Sequence, residues 1–171
     1  MLLRTLSSFP SFTKLAPKFK LEHVLPPATD VEIAKLEAGL GLTLPDSYKK
    51  LLQCARGFWL MGGTVQFGSQ HPFVHEFDPY DSLSPAHKAV VKRKGGAWPP
   101  PTDCMLCFAE FCMEADGDQV LFDTSKGLVN GEYPVVYYAH EGRPPHVRHL
   151  ASSFTEFLEG FLQYEAFNRE A

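Results

Sequence analysis

Three groups of residues in this chain could do chemistry. The first is Cys104-x-x-Cys107 with Cys112 close behind, and His71, His75, His140, His146 and His149 are available to complete it. His146-x-x-His149 also has ligand spacing. A structural zinc site needs four Cys or His ligands, normally as two such pairs. One Cys pair plus one cysteine equally describes small apolar thiols in a strand, where Cys104 and Cys107 would face opposite sides. A thioredoxin-like redox pair must open a helix, whereas Met105, Leu106 and Phe108 place this pair in a strand-like run. The second group is Asp116, Asp118 and Asp123. They could gather a cation, but Asp116-Gly117-Asp118 has the chemistry of a hairpin turn, and no glutamate closes an EF-hand spacing. The third is Lys88, Lys92, Arg93 and Lys94 beside Trp98, which could touch phosphate or form a solvated helix face. There is no Gly-x-Ser-x-Gly nucleophile elbow and no Gly-x-x-x-x-Gly-Lys-Ser/Thr phosphate loop. Spacing therefore assembles no catalytic, metal or cofactor set.

The elements that must position these residues can be read in order. Thr29-Asp30-Val31-Glu32 has capping-box spacing and opens a helix with Ile33, Leu36 and Leu40 on one face, ended by Gly39 and Gly41. Leu44-Pro45-Asp46 starts a second helix, with Tyr48, Leu51, Leu52 and Ala55 at helical spacing and Gly57 as its stop. The two make a helical hairpin. Phe58-Trp59-Leu60 and Thr64–Phe67 then read as strands about Met61-Gly62-Gly63. Met105–Phe111 is apolar on both faces, as a central strand must be, and an Asp-Gly turn returns it to Gln119–Phe122. Pro134–Ala139 is a further strand and Val147–Ala151 a short edge strand. Ser153-Phe154-Thr155-Glu156 is a second capping box, followed by Phe157, Leu158, Phe161 and Leu162 on one helical stripe. Helices, then antiparallel strands, then a closing helix predict an α+β fold with helices packed on one sheet.

Length and composition bound the rest. The chain has 171 residues, a formal net charge of −4 and 44% hydrophobic residues. Those values suit one folded domain and argue against a strongly basic nucleic-acid binder, so no direct nucleic-acid binding is expected. No apolar run reaches the roughly 18 residues of a membrane span, so no membrane partner is expected either. The N-terminus has no clear secretory signal, and four cysteines in a chain of this size read as reduced thiols in a cytoplasm. Arg4, Lys14, Lys18 and Lys20 among Ser7, Ser8 and Ser11 form a weak transit pattern, but Pro10 and Pro17 interrupt it. A short helix at Leu2–Phe9, laid on the domain by Leu3, Leu6 and Phe9, is the alternative. The domain organisation expected is an N-terminal extension at 1–27 packed on a single domain at 28–171. That domain carries a Pro-rich insert near 68–103, with a helix at Pro85–Lys94 inside it.

In order and spacing, these motifs resemble the SUKH superfamily of Smi/Knr-like proteins. The segment from Asp30 to Cys54 resembles its opening signature, with Leu40-Gly41 ending one helix, Leu44-Pro45 following, and Tyr48 and Leu51 on the next. Phe58-Trp59, Gly117-Asp118, Phe122-Asp123, Val135–Tyr138 and Ser153-Phe154-Thr155-Glu156-Phe157-Leu158 continue the likeness over roughly residues 28–165. The chain departs from it at Arg56-Gly57, where the family often has Asn-Gly, and in the length of its insert. The resemblance implies a non-enzymatic, cofactor-free protein-binding module of the bacterial immunity type, neutralising a cognate nuclease or deaminase toxin. Its alternative is a scaffold or regulator, as in fungal members linked to cell-wall synthesis and signalling. Partner-binding candidates by residue type are Trp59, Tyr80, Trp98, Tyr133 and Arg143, with Asp116 and Asp118 as acidic candidates. Core packing is the competing role for the aromatic residues.

Overall fold

The structure, a computed structural model, describes residues 21–22, 24–60, 65–67, 75–76, 104–111, 118–139 and 146–162. The expected helices at 2–9 and 85–94, the turns at 61–63, 116–117 and 141–143, and Cys112 lie outside the described residues. What is described is an α+β fold with a helical pair ahead of an antiparallel sheet and a helix closing it.

Helix α1 spans Asp30–Leu40 and starts on a true capping box. The Thr29 hydroxyl accepts from the Glu32 N–H at 3.2 Å, and Glu32 accepts from the Thr29 N–H at 2.8 Å. Gly41, with φ of +68°, supplies the left-handed residue that ends the helix, and its N–H reaches the Glu37 carbonyl. Gly39 stays inside the helix rather than ending it. Helix α2 spans Asp46–Leu52, and Gly57 lies five residues beyond its end instead of closing it. Ser47, Tyr48, Leu51 and Leu52 of this helix are all buried.

Eight strands among the described residues form one antiparallel sheet. These are β1 (Leu21–Glu22), β2 (Phe58–Leu60), β3 (Val65–Phe67), β4 (His75–Glu76), β5 (Met105–Phe111), β6 (Asp118–Asp123), β7 (Val135–Ala139) and β8 (His146–Ala151). Their order is β1-β2-β3-β5-β6-β7-β8, with β4 pairing β5 beside β3. Strands β1 and β4 are too short to stand out in a sequence. Helix α3 spans Phe154–Leu162, where Ser153 caps the Glu156 N–H at 3.1 Å. Glu156 reaches back to the Ser152 N–H at 2.7 Å, so its second bond falls one residue before the box that its spacing predicts.

The sheet buries both faces at its centre, which is why β5, β6 and β7 read as continuous apolar runs. On the helix face, Tyr48, Phe108, Phe122, Phe154 and Phe157 are fully buried. Phe108 stacks on Phe122 at 4.2 Å between centroids, and Tyr48 meets Phe122 and Phe154 edge-on at 5.2 and 5.1 Å. On the other face, Met105, Cys107, Leu121, Val136 and Tyr138 form a second cluster. Two bulges adjust this layering. One places Phe108 between the paired positions Cys107 and Ala109, so Leu106, Phe108 and Ala109 all join the helix-side core. The other, near Leu150, returns Ala151 to that same core just before the chain enters α3.

Phe108→Ala is expected to cost about 3–5 kcal/mol of stability through the cavity it leaves, read as a lower urea midpoint. Val31→Ser, at a position 78% exposed, should stay within about 0.5 kcal/mol of the parent.

Candidate functional site

The residues singled out for partner binding divide into those the fold uses and those it leaves to the surface segments. Tyr133 is 4% exposed, and its hydroxyl donates to the Thr43 carbonyl at 3.0 Å. Its ring meets Phe122 at 6.3 Å. It therefore joins the sheet to the connection between α1 and α2. Asp118 is 2% exposed and accepts a short hydrogen bond from the Tyr137 hydroxyl. The Arg148 guanidinium lies 4.8 Å from the Tyr137 ring centroid, a cation–π contact between neighbouring strands. These three residues form one ionic and aromatic cluster, in which Asp118 is an inward-facing member.

Trp59 lies in β2, paired with Gln66 on one side and Glu22 on the other. The register continues through Glu110, Gln119, Tyr138 and Val147, a row that crosses the sheet from β1 to β8. Tyr138 in this row belongs to the cluster on the face away from the helices. Tyr80, Trp98, Asp116 and Arg143 lie outside the described residues.

The cysteines are now placed as well. Cys104 sits just ahead of β5 and is half-buried, so it does not share the strand with Cys107. Cys107 is wholly buried, and its thiol donates to the Ala109 carbonyl at 3.5 Å within the bulge. Cys54, Cys104 and Cys107 form no disulfide, and among the described residues no group of three His, Cys, Asp or Glu side chains could hold a metal. Asp123, read as a potential cation ligand, instead accepts from the Ser125 N–H at 3.0 Å in a turn.

Two residues outside the candidate site set organise the molecule. Glu132 accepts from the Ser47 N–H at 3.2 Å, from the Ser47 hydroxyl at 2.7 Å and from the Phe154 N–H at 3.2 Å. Pro45, which precedes α2, makes no side-chain cap. The hairpin 129–132 supplies what Pro45 cannot: Glu132 takes the Ser47 N–H, and the Gly131 carbonyl takes the Asp46 N–H at 3.2 Å. One carboxylate thus faces the positive ends of α2 and α3 together. The local signal was the Asn130-Gly131 pair, with φ of +53° and +78°, a two-residue hairpin turn inside a stretch that reads as a loop. The second residue is Arg56, whose side chain donates to the Pro26 carbonyl at 3.1 Å and pairs with Glu32 at 3.4 Å. With Leu25 N–H to Gly57 and Ala28 N–H to Leu52, both at 2.8 Å, it straps Pro26-Pro27-Ala28 along the end of α2. That segment is thereby fastened to the helical pair.

A helical pair and a closing helix packed on an antiparallel sheet define an α+β domain. The chain belongs to the SMI1/KNR4 family (SUKH-1), whose model matches residues 27–160. A search of curated proteins found no significant match. No helix among the described residues is long and apolar enough to cross a membrane.

Two measurements test this site. Glu132→Gln leaves one acceptor oxygen for three donors, so it should lower unfolding free energy by about 1–3 kcal/mol. A double-mutant cycle with Ser47→Ala should show the two residues coupled. The second concerns alkaline pH. Burial, reinforced by the Asp118 charge, pushes the Tyr138 hydroxyl up to about 12 from an ordinary value of 10.0. The folded state then holds this proton more tightly than the unfolded state. Its stabilisation is complete below a pH of about 10 and is lost as pH rises through about 12. Tyr138→Phe should flatten the decline of stability across that window, measured by urea unfolding at each pH.

Proposed function

We propose that this protein is a non-enzymatic protein-binding module that neutralises a cognate toxin, of nuclease or deaminase type, by occupying its surface. The observation that carries this reading is membership of the SMI1/KNR4 (SUKH-1) family across residues 27–160. Its support from the structure is the use of polar side chains. Glu132, Asp118, Arg56 and Glu32 are engaged in tying helices, strands and the 24–29 segment together. A net charge of −4 would also favour encounter with a basic partner.

Trp59, Tyr80, Trp98, Asp116 and Arg143 are the proposed contact residues. Tyr133 and Asp118 act through the fold, because the first is sealed against Thr43 and Phe122 and the second against Tyr137.

The test is coexpression in a sensitive host with the toxin domain encoded beside this gene. Growth rescue with a copurifying complex is the expected result. Trp59→Ala and Trp98→Ala should weaken the complex by about 2 kcal/mol where they are anchors. Tyr133→Phe should lower stability while leaving affinity nearly unchanged. A stable complex without rescue would instead favour a scaffold or regulatory role, and neither rescue nor complex would remove the toxin reading.

A further inference from the structure

The hairpin that presents Glu132 has a chemical property of its own. Asn130 is exposed and is followed by Gly131, which has no side chain to shield its amide nitrogen. The Gly131 N–H has no acceptor among the described residues. The other asparagine of the chain, Asn168, precedes Arg169.

We propose that Asn130-Gly131 is a self-modification site whose conversion to isoaspartate unfastens Glu132 from the two helices it joins. In the first step the Gly131 amide nitrogen attacks Asn130 Cγ. A C–N bond forms, the bond from Cγ to the side-chain nitrogen breaks, and ammonia leaves with the proton lost by Gly131. The product is a five-membered succinimide. Water then opens the ring. Attack at the side-chain carbonyl gives aspartate with the original backbone. Attack at the main-chain carbonyl breaks the original peptide bond and leaves the chain running through Cγ as isoaspartate. No oxidant or reductant takes part.

The fold controls this reaction and responds to it. Asn130 and Gly131 are both held at positive φ by reciprocal bonds between Val129 and Glu132, at 2.9 and 3.1 Å. To reach Cγ, the Gly131 nitrogen must rotate out of this turn, so the turn has to open first. Glu132 resists opening through Ser47 and Phe154, and Gly131 resists through Asp46. Once isoaspartate has formed, one extra carbon in the backbone makes a two-residue connection too long for the Val129–Glu132 pairing. Glu132 is then drawn away from Ser47 and Phe154.

The experiment incubates the full-length folded chain in mildly alkaline buffer. Peptide mass mapping follows a gain of about one dalton at Asn130, and enzymatic methylation of isoaspartate identifies the product. Urea unfolding is recorded on the separated isoaspartate form. Conversion is expected at Asn130, with a lower midpoint for the isoaspartate form than for the parent. Glu132→Gln should accelerate conversion several-fold, because it loosens the turn. Asn130→Asp, which adds the charge without altering the backbone, should remain close to the parent midpoint and separates lengthening from charge. The proposal is overturned if the folded chain shows no conversion during an incubation that fully converts it in urea. An isoaspartate form with the parent midpoint, or equal conversion rates in parent and Glu132→Gln, overturns it as well.

Discussion

The Glu132 carboxylate is the interaction on which the rest of this architecture depends. The helical pair and the sheet are distant in sequence, and α3 is more distant still from α2. A single side chain placed at a hairpin end accepts hydrogen bonds from the first turns of both α2 and α3. Each helix begins with backbone donors that must find acceptors, and α2 begins after a proline that provides none. The carboxylate meets that demand with charge-assisted bonds at the end of the helix dipole where negative charge is favourable. Removing it would leave the Ser47 and Phe154 amides without this acceptor and loosen the tie between the two helix starts.

Around this clasp the sheet is layered on both sides. The aromatic group on the helix face is held together by edge-to-face and stacked rings, geometries that aromatic quadrupoles prefer. The bulges at Phe108 and near Leu150 each admit an extra residue where the helix-side core needs to be filled or entered. Burial at this centre also explains why the hydroxyls of Tyr48 and Tyr138 hold their protons above the usual tyrosine range.

The proposed role in protein recognition draws on this use of polar groups. Buried Asp118 and Tyr137 and half-buried Arg148 form a cluster across three neighbouring strands. The cysteines that had suggested a metal site are separated by the start of β5. Among the proposed contact residues, Trp59 stands in a cross-sheet row from Glu22 to Val147, a continuous feature built from seven strands.

The features that residue types and spacing disclose are local and periodic. The capping box at Thr29, the stripe Tyr48-Leu51-Leu52, the doubly apolar strand Met105–Phe111 and the stripe after Ser153 each depend on neighbours within one or two turns or on alternation, so the residues announce them. The family signature is written in these same segments, which is why it was legible. The tertiary structure decided whatever depends on partners far apart in the chain. Tyr133 and Asp118 have the residue types of a binding surface, and only the fold shows that each faces a specific interior partner, Thr43 or Tyr137. Arg56 fastens Pro26 and Glu32 from the far end of α2. Glu132 looks like an ordinary loop acid until Ser47, 85 residues away in sequence, is brought to it. Periodicity records which face a residue turns inward, but a hydrogen bond between distant segments leaves no period to read.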